Sequence, residues 1–153
     1  MKMKIMYVTN KHPLSHNKKG SNQQYKDQFK NEFIKKYRNL YNNLPICGKT
    51  LKSAIYYIHR MRNGYTPPDV DNLSKPIVDS FNGVMYEDDS QIIYRIAAIR
   101  QVSDFSMISI DVSDVPYEIY QDFHKFCKSP KEDYIVLFGV EEIDEEAIKI
   151  GEF

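Results

Sequence analysis

The sequence is poor in the features that mark secreted, disulfide-bonded and membrane proteins. It has no tryptophan and only two cysteines, and Cys47 and Cys127 are too far apart to form a CxxC metal or redox pair. We expect both to be reduced, buried thiols of a cytosolic protein. No apolar run approaches the roughly 20 residues of a membrane helix, and residues 1–10 lack the apolar stretch of a signal peptide. These absences predict a cytoplasmic protein with no membrane partner.

The chain also lacks a net charge, but its charges are unevenly distributed. Residues 1–68 hold 14 Lys and Arg against two acids, and the remainder holds 7 basic and 19 acidic residues. The two halves therefore carry charges of +12 and −12. Such asymmetry indicates a polyanion-binding surface built from the first half. The alternative is that the halves fold together and neutralise each other, and charge alone does not decide between the two.

The hydrophobic pattern predicts alternating strands and helices in one domain. With 153 residues and 42% hydrophobic content, the chain suits a single core. Periodicity and turn residues predict these elements: a strand Lys4–Thr9, a helix from Ser21 or Asn22 to Leu40, a strand Leu51–His59, a helix from about Asn72 to Asn82, a hairpin of Gln91–Val102 with Phe105–Val112, a helix Tyr117–Lys128, a strand Tyr134–Val140 and an acidic end Glu141–Glu146. This order predicts an α+β fold, in which helices pack against a mixed β-sheet.

The ends of the second predicted helix depend on a proline and a glycine. Pro76 would lose a hydrogen bond beyond the first turn if Asp71 were the cap, so we expect the helix to begin nearer Asn72 or Ser74. Gly83 supplies the positive φ that helix C-termini favour.

Acidic residues flank this helix on both sides. Asp69 and Asp71 precede it, and Asp88 and Asp89 precede the next strand, so the two pairs meet only if the connection crosses over. Clustered carboxylates are costly unless a cation offsets their charge, and Mg²⁺ prefers such hard oxygen ligands. Lys75 is a cation near the same helix start and suits stabilisation of a phosphate transition state.

Each of these residues also has an ordinary structural interpretation. Aspartates commonly cap helices and form turns. Asp71, Lys75 and Asp79, at four-residue spacing, would make a solvated stripe of ion pairs. The combination with Asn72 and Gln91 at fixed offsets favours the functional interpretation.

The segment PDVDNLSKPIVDSFNGVMYEDDSQI closely resembles the signature of the RusA family of Holliday-junction resolvases. That signature runs D-x-D-N-x-x-K, then a helix with a further Asp, then D-D-x-Q opening a strand. The resemblance implies a small homodimer that cuts four-way and other branched DNA by paired nicks with Mg²⁺, for which Mn²⁺ can substitute. It also implies a RusA-like nuclease domain over residues 1–115, with residues 116–153 as a C-terminal extension packed on it, and a bacterial or prophage-encoded source.

By position in the motif, the resemblance implies that Asp69, Asp71 and Asp89 are metal-binding catalytic acids and that Lys75 is the catalytic lysine. Asp88 ranks second as the third acidic ligand. The cations expected to contact DNA are Lys18, Lys19, Lys26, Lys30, Arg60 and Arg62.

Two other functions compete with the nuclease. A RusA-like protein that binds branched DNA with little or no cleavage would keep the basic half and its salt-dependent affinity. A DxD glycosyltransferase would use Asp69 and Asp71 for a nucleotide sugar, but it has no role for Asp88, Asp89 and Gln91, and the chain is short for it.

Overall fold

The computed structural model describes residues 3–12, 22–61, 69–111 and 113–143, without the side chains of residues 22–26 and of Asp71. Their regular elements are these: β1 Lys4–Thr9, α1 Asn22–Lys36, β2 Leu51–Arg60, α2 Val70–Ser80, β3 Ile92–Val102, α3 Tyr117–Lys128 and β4 Tyr134–Glu142. Short 3-10 helices follow α1, precede β3 and follow β3. No helix in the described ranges is long and apolar enough to cross a membrane.

The strands form one four-stranded sheet in the order β1-β4-β2-β3. β4 pairs antiparallel with both β1 and β2, while β2 and β3 are parallel. The sheet is therefore mixed, and the predicted α+β class is confirmed. Because parallel neighbours need a crossover connection, the chain between β2 and β3 crosses over and carries α2 with it, as a meeting of the two acidic pairs requires.

One face of the sheet and the first two helices enclose an aromatic core. Phe29 and Phe33 of α1 and Tyr37 directly after it, at helical spacing, are buried and form one apolar stripe. Phe81, directly after α2, packs edge-on against Tyr7 at 5.3 Å and lies parallel to Phe138 at 5.6 Å between ring centroids. The position of α2 is therefore fixed by rings from β1 and β4.

Three local predictions were wrong. The α-helix α1 ends at Lys36, short of Leu40. Phe105–Met107 is a 3-10 helix rather than part of a second hairpin strand, because the Asp104 carboxylate accepts a 2.8 Å hydrogen bond from the Ser106 amide and turns the chain. α2 begins at Val70 with Pro76 inside it, so tertiary packing of its buried face outweighs the one backbone hydrogen bond that the proline removes.

The end of the chain supplies an internal strand of the sheet. β4 separates β1 from β2, and α3 is tied to α1 by a 2.5 Å hydrogen bond from the Tyr37 hydroxyl to Asp122. The domain division at residues 115 and 116 remains a prediction, but this segment is part of the sheet itself.

The two cysteines are free, but only one of them is even partly covered. Cys47 is exposed and Cys127 is half-buried. The burial predicted for Cys47 was wrong, because its loop docks through the backbone of the neighbouring Ile46, whose amide donates to Met85 at 2.9 Å and whose carbonyl accepts from Glu87 at 3.2 Å.

Candidate active site

A tight turn returns the chain from the end of α2 to the start of β3. Gly83 has a φ of 78°, as predicted for a helix end, and its amide donates to the Tyr86 carbonyl at 2.7 Å. The buried Tyr86 hydroxyl donates to the carbonyl of Val78 in α2. This hydrogen bond holds the turn against α2 and therefore fixes the position of the residues that follow Tyr86.

The acidic turn, Asp88–Gln91, is held by its own capping box. The Asp88 carboxylate accepts from the Ser90 amide at 3.1 Å, and the Asp88 amide donates to the Gln91 side chain at 2.9 Å. The Ser90 hydrogen bonds lower the pKa of Asp88. Gln91 Nε2 also donates to the carbonyls of Ile46 and Lys49, each at 3.0 Å. Asp88 and Gln91 therefore shape the turn, as capping residues do elsewhere.

Asp89 differs from its neighbour in both environment and partners. Its side chain is half-buried, and no hydrogen bond or ion pair joins its carboxylate to another residue in the described ranges. Burial raises the pKa of Tyr86, and the charge of Asp89 raises it further, as does that of Asp79, while Arg95 opposes them. Asp89, Asp79 and Arg95 thus lie within electrostatic range of the hydroxyl that is bonded to α2.

The start of α2 presents Asp69 to solvent. Asp69 occupies the N-cap position with extended backbone, yet its side chain makes no capping hydrogen bond. Its exposed carboxylate therefore keeps its oxygens for another ligand. Asp71 lies in the first turn, with its side chain outside the described part of the chain.

Helical spacing places residues 71, 75 and 79 on one face of α2. Lys75 Nζ lies 3.9 Å from Asp79 Oδ2, and the lysine side chain is 58% exposed. An ion pair of this length and exposure contributes a fraction of a kcal/mol, so Lys75 is held only weakly. The carbonyl of Val78 accepts the hydrogen bond from Tyr86 in the turn, and Val78 is about 13 Å along the helix axis from Asp69. The face of residues 71, 75 and 79 runs along α2 between these two positions.

The described residues contain no group of three His, Cys, Asp or Glu side chains that could hold a metal ion. That search does not include the side chain of Asp71. The triad of Asp69, Asp71 and Asp89 therefore remains a prediction. The hard carboxylate oxygens of Asp69 and Asp89, which have no hydrogen-bond or ion-pair partner among the described residues, fit a magnesium ion chemically.

The predicted DNA-contacting cations fall into three groups. Lys18, Lys19 and Arg62 lie outside the described residues, as does the side chain of Lys26. Lys30 is half-buried on α1. Arg60 is engaged within the protein, because Nη2 donates to the Ser129 carbonyl at 3.0 Å and the guanidinium lies 4.5 Å from the Phe105 ring centroid.

Between residues that the structure describes, three ion pairs join the basic half of the chain to the acidic half. Lys36 contacts Asp122 at 3.5 Å, Lys52 contacts Glu141 at 3.5 Å and Lys49 contacts Glu142 at 3.8 Å. All three acids lie in α3 or β4. This pairing favours, for these lysines, the alternative that the halves neutralise each other.

Three residues near Tyr86 were not assigned a role from the sequence. Asp79 was visible only as part of the motif, and Tyr86 as an ordinary aromatic in a turn. Arg95 had no usable signal, because strand alternation from the buried Ile92 assigns it to the opposite face. The register shift between Leu51 and Lys52 that returns it to the face of α2 depends on pairing with β2.

A protein-family model described as Endodeoxyribonuclease RusA matches residues 6–113, well over half of the chain. No curated protein matched.

Proposed function

The chain belongs to the RusA endodeoxyribonuclease family, and from that premise we propose that it is a magnesium-dependent, structure-selective nuclease that resolves Holliday junctions and other branched DNA. Membership confirms the resemblance found in the motif and supports a hydrolase that acts on DNA. The proposal adds the metal, the junction substrate, paired hydrolysis of phosphodiester bonds in recombination and repair, and the residues that act.

The difference between Asp88 and Asp89 is the observation that carries the proposal. Two adjacent aspartates open β3, and one carboxylate is used to cap the turn while the other makes no hydrogen bond or ion pair in the described ranges. A half-buried carboxylate beside a second acid is unfavourable without a cation. Asp89 is therefore the better third ligand, and Asp88 is the residue that positions it.

The proposed roles follow from these positions. Asp69, Asp71 and Asp89 would hold Mg²⁺, with Mn²⁺ as a substitute. When bound, the ion supplies Lewis acidity and charge neutralisation for phosphodiester hydrolysis. Lys75, weakly held by Asp79 and mostly exposed, is free to move onto a phosphate oxygen and stabilise the negative charge that develops in the transition state.

The proposed partners are a branched DNA and a second copy of the chain. A four-way junction has two-fold symmetry, and a homodimer with the same symmetry brings one site to each of two strands. Paired nicks then follow from one binding event.

The experiment compares two adjacent, chemically identical substitutions. A labelled four-way junction is incubated with Mg²⁺ and wild type, Asp89→Asn or Asp88→Asn, and both nicking and junction affinity are measured. Asparagine caps turns nearly as well as aspartate, so Asp88→Asn should keep its activity within about threefold, by the small cost of this exchange. Asp89→Asn should lose at least about 100-fold in nicking while still binding the junction.

One outcome would reject the nuclease, and another would reject the role of Asp89. Wild type that binds the junction but never nicks it with Mg²⁺ or Mn²⁺ would indicate the binding protein without nuclease activity. Equal nicking by wild type and Asp89→Asn would remove Asp89 from the site.

A further inference from the structure

Arg95 lies on the same face of the sheet as the candidate active site. Phe81, at the end of α2, stacks on Phe138. Phe138 is the cross-strand partner of Ile55, and Ile55 is the partner of Ala97 on β3. Side chains two apart on a strand share a face, so Arg95 lies on the α2 face with Ala97. The opposite face of β3 carries Ile96 and Arg100, which line an open groove there.

Arg95 also acts electrostatically on Tyr86, as Asp79 and Asp89 do. The Tyr86 hydroxyl is bonded to α2, and its pKa is raised by burial and by Asp89, while Arg95 lowers it. No ion pair joins the Arg95 guanidinium to Asp89 among the described residues, although both act electrostatically on Tyr86.

The Arg95 side chain is available for a ligand. It is exposed, and it makes no hydrogen bond or ion pair with the residues that the structure describes. Arg60, at the end of the neighbouring strand, is used internally instead. The planar guanidinium matches two oxygens of one phosphate, which gives position as well as charge.

We propose that Arg95 binds a DNA phosphate at the active site and orients the backbone toward Asp89 and Lys75. The inference rests on the proposed function, because the ligand is the phosphodiester that the nuclease cuts. It adds a substrate-binding cation from a third element, β3, to the acids and the lysine contributed by α2 and the acidic turn.

Arg100 provides a matched control, because it is an exposed arginine on the same strand and the opposite face. Arg95→Gln, Arg95→Lys and Arg100→Gln are compared with wild type on a four-way junction with Mg²⁺. We expect Arg95→Gln to lower kcat/KM by about 10- to 100-fold, and Arg100→Gln to change it by less than about twofold, as for a surface site. Affinity measured against salt should lose about one unit of log–log slope in Arg95→Gln only.

The slope of log affinity against log salt concentration distinguishes phosphate binding from a structural role. Loss of a phosphate contact lowers the number of counterions released on binding by about one, whereas a folding defect does not. If Arg95→Gln lowers the melting temperature by more than a few degrees, Arg95→Lys is used to decide whether Arg95 binds phosphate or only stabilises the fold. Lysine keeps the positive charge but lacks the planar guanidinium that binds two phosphate oxygens at once. For Arg95→Lys we therefore expect about a tenfold loss in kcat/KM at an unchanged melting temperature. Wild-type kinetics in Arg95→Lys would then overturn the proposal.

The failures of the two proposals are distinguishable. Nicking by wild type with equal kinetics in Arg95→Gln and Arg100→Gln overturns the role of Arg95 and leaves the nuclease intact. Wild type that neither nicks nor binds the junction overturns both.

Discussion

Two segments of this chain divide the work of the molecule between chemistry and architecture. The site segment, residues 69–91, holds the acids, the lysine and the whole motif, yet it contributes no strand to the sheet. The C-terminal segment, residues 116–142, lies beyond the family match and supplies the strand that joins β1 to β2. The extent of a recognisable family pattern is therefore a poor guide to what the fold needs.

Removing residues 116–153 should have the largest effect. Among the described strands, β1 pairs only with β4, so the deletion leaves β1 without a neighbour and exposes the apolar side chains that β4 covers. We expect no cooperative thermal transition and no dispersed amide spectrum in the truncated chain. A cooperatively folded 1–115 fragment would contradict this expectation and would support the domain boundary predicted from the sequence.

Shortening one ring in β4 should weaken both segments together. Phe138 is 1% exposed and stacks on Phe81 at the end of α2, so Phe138→Ala leaves a cavity under the site helix. We expect a loss of about 3–5 kcal/mol in the free energy of unfolding, measured with urea.

The control for that substitution is an aromatic residue of the same segment outside the core. Tyr117 is 69% exposed, and Tyr117→Ala should change stability by less than about 0.5 kcal/mol. Similar losses in both variants would show that β4 does not support α2 through this contact.

The smallest effect concerns charge. Glu141→Gln frees Lys52 from its 3.5 Å ion pair, while Glu118→Gln removes an exposed charge of α3 that makes no ion pair with a described residue. We expect stability to change by less than about 1 kcal/mol in either variant. At low salt, Glu141→Gln should raise junction affinity about twofold more than Glu118→Gln does. This is the size of effect expected if the released Lys52 makes one additional contact with a DNA phosphate. Equal affinities would mean that the pairing does not mask Lys52 from DNA.

Local patterns were sufficient for most of the elements and for the motif. Tyr117–Lys128 and Lys4–Thr9 were predicted at their observed bounds, because amphipathic spacing and flanking breakers are local signals. The position of β4 between β1 and β2 was not predictable, since strand order depends on long-range pairing that one sequence does not encode locally. The 3-10 helix at Phe105 was missed because an aspartate cap competes with strand formation only once the neighbouring strands are known.

The site was predictable as a set of residues but not as an arrangement. The sequence ranked Asp89 above Asp88 only by resemblance to the motif, and the difference between their contacts arises from hydrogen bonds of Asp88 to Ser90 and Gln91 that set the turn. Arg60 was assigned to DNA because arginine is basic, whereas Phe105 and Ser129 hold it from distant parts of the sequence. Partners of this kind depend on tertiary structure.

The strand order also determines when the sheet can be completed during synthesis. Among the described strands, β1 pairs only with β4, at Tyr134–Glu142, which is synthesised more than 100 residues later. β2, α2 and β3 are close together in the sequence and can associate earlier, whereas β1 must wait until β4 has been synthesised. A nascent chain released early would therefore carry every residue of the motif on an unfinished sheet.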